Sequence, residues 1–447
     1  MEKAPFDQEE LVAAYTKFDA SRNRGRGNSA NPDSGALGWG ESGILEGYVK
    51  LYEATGDNAW LDRIVAHFDR MIANRKDHYA DGFDTWVTTT YAVGLVRTGR
   101  FHCRGTARIA PEEARVWTSR GGAEVRDGEW VLEIDRGGKY RLLKYGTRKP
   151  VAKGSYRPGK PITSLPPFEL TIEGKAEPGD RFWIQSTGAE PQEYIVHQGM
   201  FLHPISRFVA HALKGRGLKR RYRKAAEGYL DLIGTIAKKH DRDWLDTTST
   251  AGGYRFPALK TDRFPNRILP HNQYLAIARA YLFASSVSRK RLFRDRAERM
   301  ARNFRRHIWR TGKAYTWHYW DWIEDGEEDH SGVEDTGHGH IDIGFAVDAC
   351  RAGVVFTNAD LRRFARTLLD QMWNGSLEDP TIGGRVDSRD GNSAAVGDWI
   401  DLCQWNPKVW DVMWASYCKQ GGPVAAIPSI LQGWARLQEG KQSRRRK

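Results

Sequence analysis

The recurrence of paired helical segments constrains this chain more than any other feature. Glu41 to Ala54 (ESGILEGYVKLYEA) has helical periodicity and stops at Thr55-Gly56-Asp57. The next segment, AWLDRIVAHFDRMIANR, returns with Ile64, Phe68, Met71 and Ile72 on one face. Two such segments joined by a short turn make an antiparallel helical hairpin. Further pairs are expected at 197–213 with 219–239, 270–286 with 290–309, 338–352 with 359–373, and about 396–419 with 424–437. Asp84 to Thr98 reads as another helix. A repeat of about 35 to 45 residues means stacked units, which form either an open solenoid or a closed ring. Solenoid loops approach a consensus, whereas here the loops before alternate helices are long and individual. That favours the ring, so the fold expected is mainly α, an (α/α)6-like toroid of helical hairpins.

The helical rhythm is interrupted once. Between about 104 and 190 the runs GEWVLEID, KYRLLKY, FELTIEG and DRFWIQS alternate in the manner of strands and are separated by Gly, Pro and Asp turns. An inserted antiparallel β-module follows, with Pro-rich stretches at 158–167 and 178–191 as its loops and exit. The expected organisation is 1–103 as the first part of the toroid, 104–192 as the inserted module, 193–440 as the remainder, and 441–447 as a basic disordered tail.

At 447 residues the chain can bury a full core, and 40% hydrophobic with 28% charged residues is a globular composition. No run reaches the roughly 20 apolar residues that cross a bilayer. The N-terminal segment has no apolar leader region, which leaves a cytoplasmic chain or an exported one whose leader has been removed. The net charge of +13 and a pI near 9.5 favour a polyanionic partner. The four cysteines are far apart and suggest no zinc ribbon. Basic runs at Lys214–Lys224 and Arg289–Arg306 keep an apolar stripe or lie apart from the aromatics, so they read as solvated outer faces and not as a nucleic-acid surface.

Polar residues concentrate before the first helix of each pair. Trp39 and Glu41, Asp84 and Trp86, His197 and Gln198, His271, Asn272 and Tyr274, and Glu334, Asp335, His338 and His340 all stand there. If those first helices form an inner ring, their starts converge on one mouth. Tyr315, Trp317 and Tyr319 belong to a dense aromatic run that is expected to be extended and to offer alternate rings to a cleft.

The hairpin rhythm, the run WGESGILEGYVKLYEATGDNAWLD (39–62) and EDTGHGHIDIGF (334–345) resemble (α/α) toroid carbohydrate-active enzymes. The likeness is nearest to lyases of uronic-acid polysaccharides and extends distantly to the toroid domains of glucuronyl C5-epimerases. It implies β-elimination on an anionic glycan, with no cofactor. Such chemistry needs a group that neutralises the uronate, a base for the C5 proton and an acid for the leaving oxygen. Asn272 with Gln198 would neutralise; His271 or His338, with His197 as a parallel candidate, would be the base. Tyr319 or Tyr315 would be the acid. Trp39, Glu41, Trp86, Tyr274, Glu334, Asp335, His340 and Trp317 would position substrate. His271-Asn272 stands in the reverse order of the Asn-His pair such lyases carry.

The same residues support rival readings. Glu334 or Asp335 with Glu41 or Asp84 could serve a glycoside hydrolase, and a C5-epimerase would share the base chemistry without cutting the chain. A non-catalytic carbohydrate-binding or scaffold protein would use Asn272 and His338 for binding, with no turnover. Asn272, Gln273 and Asp335 could merely satisfy helix N–H groups. His338 and His340, two apart on a helix, diverge by about 200° and could share a metal only in an extended segment.

Overall fold

A computed structural model of the chain describes residues 4–117, 125–165, 168–324, 326–393 and 397–445. It separates into two compact units: one of Met1–Trp86, Tyr194–Phe256 and Arg267–Lys447, the other of Val87–Glu193 and Pro257–Asn266. Helix makes up 48% of the chain and strand 21%.

The first unit holds the helices α1 (Gln8–Ser21), α2 (Ser34–Ala36), α3 (Ser42–Thr55), α4 (Ala59–Ala73), α5 (Ile195–Lys214), α6 (Arg216–Lys239), α7 (His271–Ser285), α8 (Arg291–Arg306), α9 (Thr336–Arg351), α10 (Asn358–Arg366), α11 (Lys408–Lys419) and α12 (Ile427–Arg445). A π-helical turn at Leu37–Glu41 leads into α3, and a 3-10 segment spans Gly397–Gln404. Burial divides these elements into two kinds. Helices α5, α7 and α9 are buried on nearly every face, as helices surrounded by protein must be. Helix α8 buries only Phe293, Ala297, Met300, Ala301, Asn303 and Phe304 and turns its arginines to solvent. Helix α6 does the same with Tyr222, Ala226, Tyr229, Ile233, Ile236 and Ala237.

The neighbours of the buried elements run in a cycle. α3 packs on α5, α5 on α7, α7 on α9, α9 on the 3-10 segment, that segment on α12, and α12 on α3 again. Each has an amphipathic partner: α4 on α3, α6 on α5, α8 on α7, α10 on α9, α11 on the 3-10 segment and α1 on α12. Close approach is set by small residues. A Cβ on Gly38 would stand 2.8 Å from His197 Cα, and one on Gly199 would land on the α7 backbone at Ile277.

The second unit contains β1 (Val93–His102), β2 (Arg108–Ala110), β3 (Glu113–Trp117), β4 (Gly128–Asp135), β5 (Lys139–Lys144), β6 (Pro150–Ser155), β7 (Pro161–Leu165), β8 (Phe168–Glu173) and β9 (Arg181–Thr187). They form an antiparallel six-stranded sheet, ordered β3-β1-β9-β4-β5-β6, and a three-stranded sheet, β2-β8-β7. In β9 burial alternates along the strand, with Phe182 and Ile184 inward, and these join Val96, Leu132, Ile134, Leu142 and Ile172 in one core. The segment Asp84–Thr98, expected to be a helix, contains the start of β1. Its Val93, Leu95 and Val96 are β-branched or apolar residues that pair with β3 and β9, and sheet pairing overrides the helical spacing. The Pro-rich stretch 158–167 includes β7, and Pro166 and Pro167 lie outside the described residues. At the C-terminus α12 continues to Arg445, so residues 441–445 of the tail expected to be disordered are helical. Arg446 and Lys447 lie outside the described residues.

Short hairpins complete the first unit: β10 (Trp244–Asp246) with β11 (Gly252–Tyr254), β12 (Ile308–Thr311) with β13 (Ala314–Trp317), and β14 (Asp321–Glu324) with β15 (Glu327–His330). The aromatic run 315–322 is therefore extended over most of its length. Its rings turn into the wall: Tyr315 and Trp317 are buried, and the Tyr315 hydroxyl donates to Asp360 at 2.6 Å.

Candidate functional site

The polar residues expected to share an open mouth are distributed among separate buried partnerships. Glu41 is fully buried and binds outward, accepting from the Asn28 amide at 2.6 Å and pairing with His67 of α4. His197 is buried beside Ser34 Oγ at 3.3 Å, and desolvation pulls its imidazole down to about 3, so it is neutral at pH 7. Gln198 accepts from His240 Nε2 at 3.0 Å, and His240 Nδ1 pairs with Asp243 at 3.0 Å. Trp86 is a core residue whose indole donates to the Met71 carbonyl at 2.9 Å. Of the expected residues, Trp39, Asp84, Tyr319, Asp335, His338 and His340 retain access to solvent.

His271 starts α7 and is held on both sides: Nδ1 meets the Tyr274 hydroxyl at 2.6 Å and Nε2 meets Asp321 at 2.7 Å. Asn272 beside it is fully buried, and neither amide atom has a hydrogen-bond partner among the described residues. Asp335 caps α9, accepting from the His338 amide at 2.8 Å and pairing with its Nδ1 at 2.6 Å. That hydrogen bond raises His338 above the usual imidazole value despite partial burial. Beneath the cap lie two buried acids, Glu334 and Asp342, with the Trp317 indole donating to Asp342 at 2.9 Å. Burial pushes Asp342 up to about 7 and raises Glu334 well above the carboxylate range, where the Asp342 charge raises it further. The pair holds a proton at neutral pH.

Along the axis of the packing cycle the buried helices carry a network of charges. Lys50 Nζ donates to Asp398 at 2.7 Å. Arg279 spans Asp398 at 2.6 Å and Asp348 at 3.0 Å. Glu46 pairs with Arg207 and lies 3.2 Å from His203, which is 3.4 Å from Asp348. Burial disfavours Asp398 as an anion, but the Arg279 and Lys50 charges outweigh it and hold the carboxyl well below its usual range. A small cavity of about 190 Å³ touches this network on the side of Ser42, Met200 and His340.

On the other side, at the C-terminal ends of α3, α5, α7 and α9, lies a larger cavity of about 760 Å³. Its wall includes Glu53, Arg207, Asp348, Arg351, Asp401 and Arg436. Glu53 is saturated: it takes hydrogen bonds from Arg207, His211 at 2.9 Å, Gln432 at 2.6 Å and Arg436 at 2.9 Å. Asp401 is the opposite case. Its Oδ1 is buried without a hydrogen-bond partner among the described residues, as is Gln432 Oε1, and its Oδ2 stops 4.0 Å short of Arg351. Burial raises the Asp401 carboxyl in spite of three neighbouring cations. Burial, reinforced by Arg436, lowers the Arg351 guanidinium. Asp401 is thus the unfavourably held end of this pair; Arg351 is partly exposed and donates to Gln404 Oε1 at 2.8 Å, and a ligand carrying the complementary charges would satisfy Asp401 and add a partner for Arg351.

None of these wall residues was among the expected site residues. A signal for some of them exists in the sequence: Arg207, Arg279 and Asp348 are single charges inside otherwise apolar helical runs (ISRFVA, AIARAYLF, FAVDAC). A charge on a fully buried helix requires a partner.

No family model matches the chain, and no curated protein matches it. Solved structures that match it include the flagellar protein FlgL of Xanthomonas campestris, 12% identical over 45% of this chain and 79% of that one, with a TM-score of 0.17. Another is the flagellar junction protein FlgL of Legionella pneumophila, 14% identical over 44% and 78%, with a TM-score of 0.16. Scores this low carry no argument about this chain's own fold or work. The expected resemblance to toroid carbohydrate-active enzymes is corrected: no family model and no curated protein matches, and the solved structures that match are flagellar proteins. The lyase reading, its hydrolase, epimerase and glycan-binding alternatives, and the anionic polysaccharide partner are set aside with it. The structure supplies a physical reason: Asn272 and His271, assigned as neutraliser and base, are sealed from a polymer, and Tyr315 faces Asp360.

Proposed function

We propose that the protein is a binding protein for a small zwitterion of the amino-acid class, held in the 760 Å³ cavity at the C-terminal ends of the buried helices. The volume lies within the range of small-molecule sites. The observation that carries the reading is the open Asp401–Arg351 pair with its unpartnered carboxylate oxygen. A ligand ammonium would satisfy Asp401 and Gln432 and would also be favoured by the partial negative charge of helix C-termini. A ligand carboxylate would meet Arg351, whose planar fork suits it. The axial charges, arranged within an (α/α)6-like toroid, close the cavity floor, and the N-terminal rim residues, His338 and Asp335 among them, form a secondary polar surface.

Thermal denaturation in the presence of free amino acids, their deaminated acids and their decarboxylated amines tests this. A ligand at a hundredfold excess over its dissociation constant stabilises by about 2.7 kcal/mol. Zwitterions are expected to raise the melting temperature, and either singly charged analogue to do so only at concentrations at least tenfold higher. Equal response to the amine or the acid alone would refute the assignment.

A further inference from the structure

We propose that His318, Asp321 and His330 form a binding site for a divalent transition-metal ion of the zinc class. The site is built by strand register. Asp321 opens β14 and stands directly opposite His330, the last residue of β15, and directly opposed residues in an antiparallel pair have side chains about 5 Å apart. His318, three residues earlier, turns back so that its ring lies flat on His330, with centroids 3.9 Å apart and an interplanar angle of 11°. Its Nδ1 is 2.9 Å from Asp321 Oδ1. One ligand atom from each of the three residues falls within 4.8 Å of the others.

Two imidazoles and a carboxylate are a donor set that zinc prefers, and bonds of about 2.0 to 2.1 Å in a tetrahedron place ligand atoms about 3.3 Å apart. The in-plane lone pairs of two parallel rings point side by side, so coordination of one ion requires the exposed His330 ring to turn out of the stack until both ring planes contain the ion. His330 is exposed and His318 partly so, which leaves a side open for water or another fourth ligand. The second oxygen of Asp321 is already fixed: it meets His271 Nε2, His271 Nδ1 meets Tyr274, and Tyr274 accepts from Asn303 at 3.1 Å. A buried chain of this kind orients a ligating carboxylate. It also gives His271 and Tyr274 a positioning role that the motif around Pro270 did not suggest.

His307 offers a competing arrangement on the inner side of Asp321 with His271. Its two nitrogens are engaged, by the Asn303 carbonyl and Glu328, each at 2.9 Å, and both His271 nitrogens are engaged as well. His318 Nε2 and the His330 ring nitrogens have no hydrogen-bond partner among the described residues. The ion therefore belongs on the outer side.

The test is calorimetric titration of zinc chloride into untagged, chelator-dialysed full-length protein, with cobalt(II) absorbance as a report of geometry. One equivalent is expected to bind, with the intense visible bands of tetrahedral cobalt. His330→Ala, at an exposed position that leaves the fold intact by circular dichroism, is expected to weaken binding at least tenfold. His307→Ala is expected to leave it unchanged. No binding by the wild type, unaltered binding in His330→Ala, or loss in His307→Ala alone overturns the proposal.

Discussion

Replacing Asp398 by alanine is expected to destabilise the helical unit by about 3 to 5 kcal/mol. Asp398 is buried and is shared by two buried cations, Lys50 at 2.7 Å and Arg279 at 2.6 Å. Forming such a network yields little net stability, because desolvation of the charges offsets their attraction. Removing its common anion is costly, since Lys50 and Arg279 then remain in the interior without compensation. The exposed i,i+4 pair Arg223–Glu227 on α6 provides the contrast. Glu227→Ala removes a screened interaction and is expected to change stability by less than about 1 kcal/mol. Urea unfolding of both variants, followed by far-UV circular dichroism, measures the difference. Equal effects would mean that the axial charges are not the anchor of the packing cycle.

The second large effect is expected at Asp342, with the opposite sign. Its folded-state value of about 7 lies above the ordinary aspartate value near 3.9, because burial disfavours its charge by more than the hydrogen bonds to Glu334 and the Trp317 indole favour it. Between about pH 4 and 7 the unfolded chain releases this proton while the native state keeps it. Stability therefore falls as pH rises through that window, and the loss is complete above the folded value. Asn matches the protonated acid in shape and can still accept from the Trp317 indole. Asp342→Asn should equal the wild type near pH 4 and exceed it by roughly 2 to 4 kcal/mol at pH 8. Denaturant midpoints measured across pH decide the matter. A variant that is less stable at pH 8, with the wild-type pH slope retained, would show that the pair is ionised and compensated in the native state.

The helices and most of the hairpins were legible in the sequence because burial writes a period into it. α8 shows its stripe as Phe293, Met300 and Phe304 among arginines, and α3 ends where Gly56 adopts a positive φ of 72°. The aromatic run 315–322 was also legible as extended chain. Asp84–Thr98 was not, since a short apolar segment satisfies helix and strand spacing alike until its partners are known. Function was less legible for a related reason. Residues that open a helix look functional from sequence, but Glu41, Gln198 and Trp86 are consumed by contacts to His67, His240 and the Met71 carbonyl, which lie 26, 42 and 15 residues away. The Asp401–Arg351 pair joins two segments 50 residues apart, with Asp401 inside the 3-10 segment Gly397–Gln404, and only the tertiary structure shows the gap between them.

The reading places the working end of the molecule at the C-terminal rim, and calorimetry with one variant on each rim tests that placement directly. With the amino acid that stabilises the protein most as titrant, Arg351→Gln is expected to weaken binding by about 2 kcal/mol or more, the loss of a charge-assisted hydrogen bond. His338→Gln, on the opposite rim, should bind as the wild type does. Undiminished affinity in Arg351→Gln together with lost affinity in His338→Gln would move the site to the N-terminal mouth and contradict the account.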